Sequence, residues 1–132
     1  MCQEGQAVVR GIFEKARATD LRGFVVWLPM LPGDSAETAV TQSQAFQDRR
    51  VIQGWDAERR IGDLFAKTLK LTRTAWDVYL LYPPYVTWKD QGPPLPAFWM
   101  HQLPSDWGAD QELRLDSGRL SHELFNLLRG GR

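Results

Sequence analysis

The chain has 132 residues, of which 43% are hydrophobic and 24% charged, and its 16 Lys and Arg balance 16 Asp and Glu. This length suits one domain, 1–132, with a real core, and the neutral balance gives no long-range attraction to nucleic acid or an anionic bilayer. One cysteine excludes an internal disulfide framework, no apolar run approaches the roughly 18–20 residues of a membrane span, and no signal peptide opens the sequence, so a soluble cytoplasmic protein is the default expectation.

Residues 3–18 are predicted to form an amphipathic helix, with Val8, Val9, Ile12, Phe13 and Ala16 on one face. A polar break over 20–23 precedes FVVWLPM (24–30), a continuous apolar run rich in β-formers. That pattern predicts a central strand covered on both faces, ended by Pro29. Asp34 opens a D-x-x-E pattern with Glu37, which predicts a helix over 36–47 that turns Ala39, Val40 and Phe46 inward. A short strand follows over 51–55. Asp56 is placed to cap a third helix, with AERR as its first turn and Ile61, Leu64, Phe65, Thr68 and Leu69 as its apolar stripe.

WDVYLLY (76–82) predicts a strand, and Pro83-Pro84 turns it into YVTWK (85–89), read as the return arm of a hairpin. Over 90–103 the prolines exclude a regular helix or interior strand in their part of the segment. An ordered loop that buries Phe98, Trp99 and Met100 is predicted there. A last helix spans 117–128, with Leu120, Leu124, Leu127 and Leu128 on one face. The alternation of helix and strand favours an α/β layer with parallel pairing, closed by an antiparallel hairpin.

Cys2 is the one candidate catalytic residue. It stands just before the first helix, where the macrodipole and free N–H groups favour a thiolate. The alternative is a terminal cysteine with no role. No histidine lies near it in sequence, yet a lone cysteine still forms mixed or intermolecular disulfides. His101 reads either as a ligand or acid–base group or as an anchor for the proline-rich loop. Asp56 reads as a cap. Asp77 interrupts an apolar strand and needs a partner if it faces inward, or else lines a pocket near the first helix. Trp88, Trp99 and Trp107 with Tyr82 and Tyr85 either build a stacking platform or pack a loop over the sheet. Cys2, two histidines and scattered carboxylates have no metal-ligand spacing, and no Gly-rich phosphate loop is present, so neither metal nor cofactor is expected.

The order of elements resembles the thioredoxin fold, in the larger version of peroxiredoxins and TlpA-type thiol-disulfide oxidoreductases. Residues 24–30, 51–56, 61–71 and 76–89 fill the places of its strands, helix and hairpin. VVWLPML, DRRV followed by WDAERR, AWDVYLLY and FWMHQL are similar to motifs of a poorly characterised bacterial group of thioredoxin-like proteins. The resemblance implies a thioredoxin-like α/β fold with a central mixed sheet flanked by helices. It also implies a cysteine pair at the start of the first helix, in which Cys2 matches the second cysteine. Measured against that pattern, the opening strand and the first cysteine are absent, and Thr74-Ala75 stands where a cis-proline is usual. A start placed too late, a trimmed chain, or a short form completed by a partner chain each account for the first departure.

The resemblance thus implies a thiol-redox protein of unknown substrate, or a degenerate form of one, acting on a protein thiol. The alternative is a non-enzymatic interaction module. A sheet without its opening strand leaves apolar positions of 24–30 and of the hairpin open. Such an edge is expected to dimerise or to accept a strand from another protein.

Overall fold

In the computed structural model, which describes residues 3–130, the fold is mixed α/β. The chain divides into two units, the first ending at Arg60 and the second beginning at Ile61. The first holds helix α1 (Gln3–Lys15), strand β1 (Gly23–Trp27), helix α2 (Ala36–Ser43) and strand β2 (Val51–Trp55). Periodicity makes α1 amphipathic, and Ile12, Phe13 and Ala16 go to the core of this unit with Leu21, Trp27 and Phe46. β1 and β2 are parallel, with Gly23 beside Val51 and Trp27 beside Trp55. Gly23 is required where β1 begins: a Cβ there would lie 2.7 Å from Phe13 Cζ, and the ring is held edge-on to Phe46.

α2 starts at Ala36, as the sequence predicts, but its cap is not Asp34. The Asp34 carboxylate accepts from the N–H groups of Met30 at 2.9 Å and Leu31 at 2.7 Å, so it closes the preceding turn. Ser35 is the N-cap instead, and its capping box is closed by Thr38. The helix ends at Ser43 rather than 47, and Val40 lies outside, leaving Ala39 and Phe46 as the inward residues. β1 is not covered on both faces: Trp27 is buried, but Phe24 is 73% exposed and Val26 38% exposed.

The second unit holds helix α3 (Arg60–Leu69) from its second residue on, strands β3 (Val78–Leu81) and β4 (Phe98–His101), and helix α4 (Ser117–Gly130). α3 opens later than the AERR run predicts. Arg59 has φ 57°, which no α-helix accepts, so the helix opens at Arg60. Asp56 continues the first unit's ladder, its N–H donating to Trp27 O at 3.0 Å. The hairpin also differs. Its return arm is β4, with Val78 opposite His101 and Leu81 opposite Phe98, and 85–89 is not a strand. Pro83 and Pro84 offer no N–H to a ladder, Tyr85 is exposed, and Trp88 packs edge-on against Phe65. Met100, His101 and Leu103 form the innermost core with Tyr79, Leu120 and Leu124.

Among the described residues the four strands form two two-stranded sheets, one parallel and one antiparallel, and not a single central mixed sheet. The parallel pair has no described third strand, and the hairpin adds only an isolated bridge between His101 and Arg114.

Candidate functional site

Cys2 lies outside the described residues. The helix behind it is present from Gln3. His101 is fully buried, and both ring nitrogens are committed to main chain: Nε2 lies 2.8 Å from Asp110 O, and Nδ1 accepts from Leu103 N–H at 3.0 Å. These contacts make it an anchor for the segment after β4, with no ring nitrogen left for a ligand. Asp77 sits before β3 rather than inside it, with φ 50°, and its carbonyl accepts from Gln102 N–H at 3.0 Å.

The aromatic residues do not gather into one platform. Trp88 meets Phe65, Trp99 meets His101, and Trp107 meets Trp76. The Trp107 indole donates to Thr74 O at 2.8 Å, and the Tyr82 hydroxyl donates to Pro94 O at 2.7 Å. These are packing roles for the loops of the second unit. Among the described residues, no group of three or more His, Cys, Asp or Glu is placed to hold a metal ion, and no helix is long and apolar enough to cross a membrane.

The feature that stands out is the edge of β1. In a parallel ladder, alternate residues aim their N–H and C=O at the neighbouring strand. Gly23 N–H donates to Arg50 O at 2.8 Å, and Trp27 O accepts from Asp56. Gly23, Val25 and Trp27 therefore face β2, while Phe24 and Val26 aim their main-chain groups the other way. No described strand lies there, and among the described residues neither Phe24 nor Val26 has a main-chain partner. Their side chains share one face of the sheet with Ile52, which sits beside Phe24 and is 63% exposed. Phe24 and Val26 thus present an apolar side chain and an unused peptide group at once.

The edges of the hairpin differ. The far side of β4 is closed by Leu115 N–H, which donates to His101 O at 2.8 Å. The far side of β3 is open, but its residues are buried or half-buried. Edge strands are ordinarily guarded by charge or proline within the strand. β1, Gly23–Trp27, has neither. The apolar run predicts this strand, but composition does not say what lies beside it, so the predicted cover on both faces is absent from the exposed one.

The strongest electrostatic feature of the first unit lies at the other end of α1. Arg50 binds Asp48 at 2.7 Å, and the resulting hydrogen bonds hold the Asp48 carboxyl at about 2, below its ordinary 3.8. Arg50 also donates to the carbonyls of Phe13, Ala16 and Ala18. Its donors are spent on the fold.

Comparison of the chain with protein-family models, with curated proteins and with solved structures finds no match.

Proposed function

We propose that this protein is a non-catalytic association module that takes up a further β-strand along the free edge of β1. One observation carries the reading: Phe24 and Val26 combine exposed apolar side chains with main-chain groups that have no partner among the described residues. Fully covering a Phe or Val side chain contributes roughly 1.5–3 kcal/mol, and a strand beside β1 covers the outer flanks of Phe24 and Val26, on the order of 1–2 kcal/mol in all. New ladder hydrogen bonds add about 1 kcal/mol each. Association itself costs about 4–15 kcal/mol, so the complex formed is weak and reversible.

Thiol-redox chemistry is the second reading. It is favoured by α1 beginning at Gln3, directly behind Cys2. A thioredoxin-like domain lacking its opening strand is the finer fold proposal that accompanies it. Helix–strand order α1-β1-α2-β2-α3-β3-β4-α4 is compatible with that proposal, as are the parallel and antiparallel pairings.

The two readings separate in one experiment on the full chain. Sedimentation velocity across rising protein concentration is compared for the wild type, Val26→Lys and Cys2→Ser. The association reading expects complex formation by wild type and Cys2→Ser under reducing conditions, and its loss in Val26→Lys, whose substituted side chain points to solvent. Association that vanishes in Cys2→Ser and survives in Val26→Lys would overturn it in favour of the thiol.

A further inference from the structure

We infer that the strand received by β1 is β1 of a second copy, joined antiparallel about a two-fold axis through Val25. The inference rests on the association reading and names its partner. The free main-chain groups belong to Phe24 and Val26, which lie symmetrically about Val25. A two-fold axis at Val25 sets Phe24 opposite Val26 of the second copy, and Val26 opposite its Phe24. Each facing pair exchanges two hydrogen bonds, so every peptide group that the edge leaves unused finds a partner of its own kind. The result is a four-stranded sheet in the order β2-β1-β1-β2. Aromatic against β-branched is a favourable cross-strand pair, and here it occurs twice.

Two further observations favour a copy of this chain over an unrelated strand. Residues 23–28 hold no charge, so the axis sets no like charges against each other. The two ends of the parallel pair also differ in sign. Residues 17–22 and 47–50, at the N-terminal end, hold four arginines and two aspartates; residues 28–34 and 56–60, at the C-terminal end, hold three acids and two arginines. Antiparallel joining brings the basic end of one copy toward the acidic end of the other, whereas parallel joining sets like against like.

The register gives a cross-linking test, made on full chains carrying Cys2→Ser. Residues on the axis form a non-hydrogen-bonded pair with Cα atoms about 4.5 Å apart, within the range a disulfide spans. Phe24 and Phe24 of the copy are two residues out of register, roughly 8 Å apart and beyond that range. Under mild oxidation, Val25→Cys is expected to form a disulfide dimer at least tenfold faster than Phe24→Cys. Equal rates, or the reverse order, would overturn the register.

Because either substitution is able to disturb the unit, a second measurement uses the Cys2→Ser chain alone. Sedimentation from micromolar to near-millimolar protein is paired with amide hydrogen exchange at Phe24 and Val26. A dimer whose Phe24 and Val26 amides become protected as it forms supports the inference. A monomer at all concentrations with both amides unprotected sinks the second copy but leaves the edge open for another strand. A monomer with both amides protected sinks the association reading as well.

Discussion

Arg50 ends a helix, orders a loop and clamps an aromatic ring with one guanidinium. The last carbonyls of α1 have no intrahelical donor, and three main-chain oxygens there, of Phe13, Ala16 and Ala18, are met by this side chain. The same group lies 5.0 Å from the centre of the Phe13 ring, the ring under which β1 begins. Asp48 holds the guanidinium in place, with Oδ1 2.9 Å from Nε and Oδ2 2.7 Å from Nη2. The Arg50 side-chain hydrogen bonds are the main reason the Asp48 carboxyl is held at about 2 rather than 3.8, followed by the Arg50 main-chain N–H. A carboxyl whose folded value is depressed contributes stability that is complete above its unfolded value and lost as pH falls through the folded one. Stability should therefore drop as pH falls from 3.8 to about 2. Asp48→Asn should be less stable near neutrality and should show a shallower fall over that window. Denaturant unfolding at stepped pH measures both, and parallel curves for the two proteins would refute the assignment.

At the scale of elements, the end of α3 shows how a local backbone choice decides where a helix stops. Leu71 N–H reaches back to Ala66 O at 2.8 Å and Lys70 N–H to Lys67 O at 3.3 Å, a Schellman closure with Lys70 at φ 58°. Glycine has no Cβ penalty in that conformation. Replacing Lys70, which is exposed, by Gly should stabilise the protein by about 0.5–1 kcal/mol in equilibrium unfolding, against the usual cost of a helix-to-glycine change.

The same left-handed geometry explains part of what the sequence hid. Arg59 at φ 57° delays α3 to Arg60, and nothing in the charged run AERR announces it. Strand β4 was hidden for another reason. Phe98, Trp99, Met100 and His101 are buried or half-buried on both faces, so no period-two alternation marks them. YVTWK alternates well and is a loop, because the preceding prolines and the docking of Trp88 on Phe65 decide its path. What was legible had strong local causes. The apolar stripes of α1 and α4, and the bounded runs of β1 and β2, follow from spacing alone. The open edge of β1 was legible only in half. The run 24–30 identifies a strand, but which peptide groups stay unused follows from its register with β2.

For the molecule as a whole, stability turns on how much a two-stranded sheet can bury. Two strands alone are marginal in water, and three or more with an apolar face, or a packed helix, are needed for independent stability. Here the parallel pair buries Trp27 on one face but leaves Phe24 and Ile52 largely exposed on the other. Adding strands at β1 extends that face and covers the flank of Phe24, so association and folding stability become linked. Anything that binds the folded chain and not the unfolded one raises its melting temperature by mass action, and a self-associating chain supplies its own ligand. The melting temperature of the wild type should therefore rise with protein concentration, by about 4 °C for each kcal/mol that association contributes at this size. Val26→Lys should melt at one temperature at all concentrations, and no higher than the dilute wild type. Differential scanning calorimetry from micromolar to near-millimolar protein reads both. A wild type whose midpoint does not move with concentration would show that β1 gains nothing from a second copy.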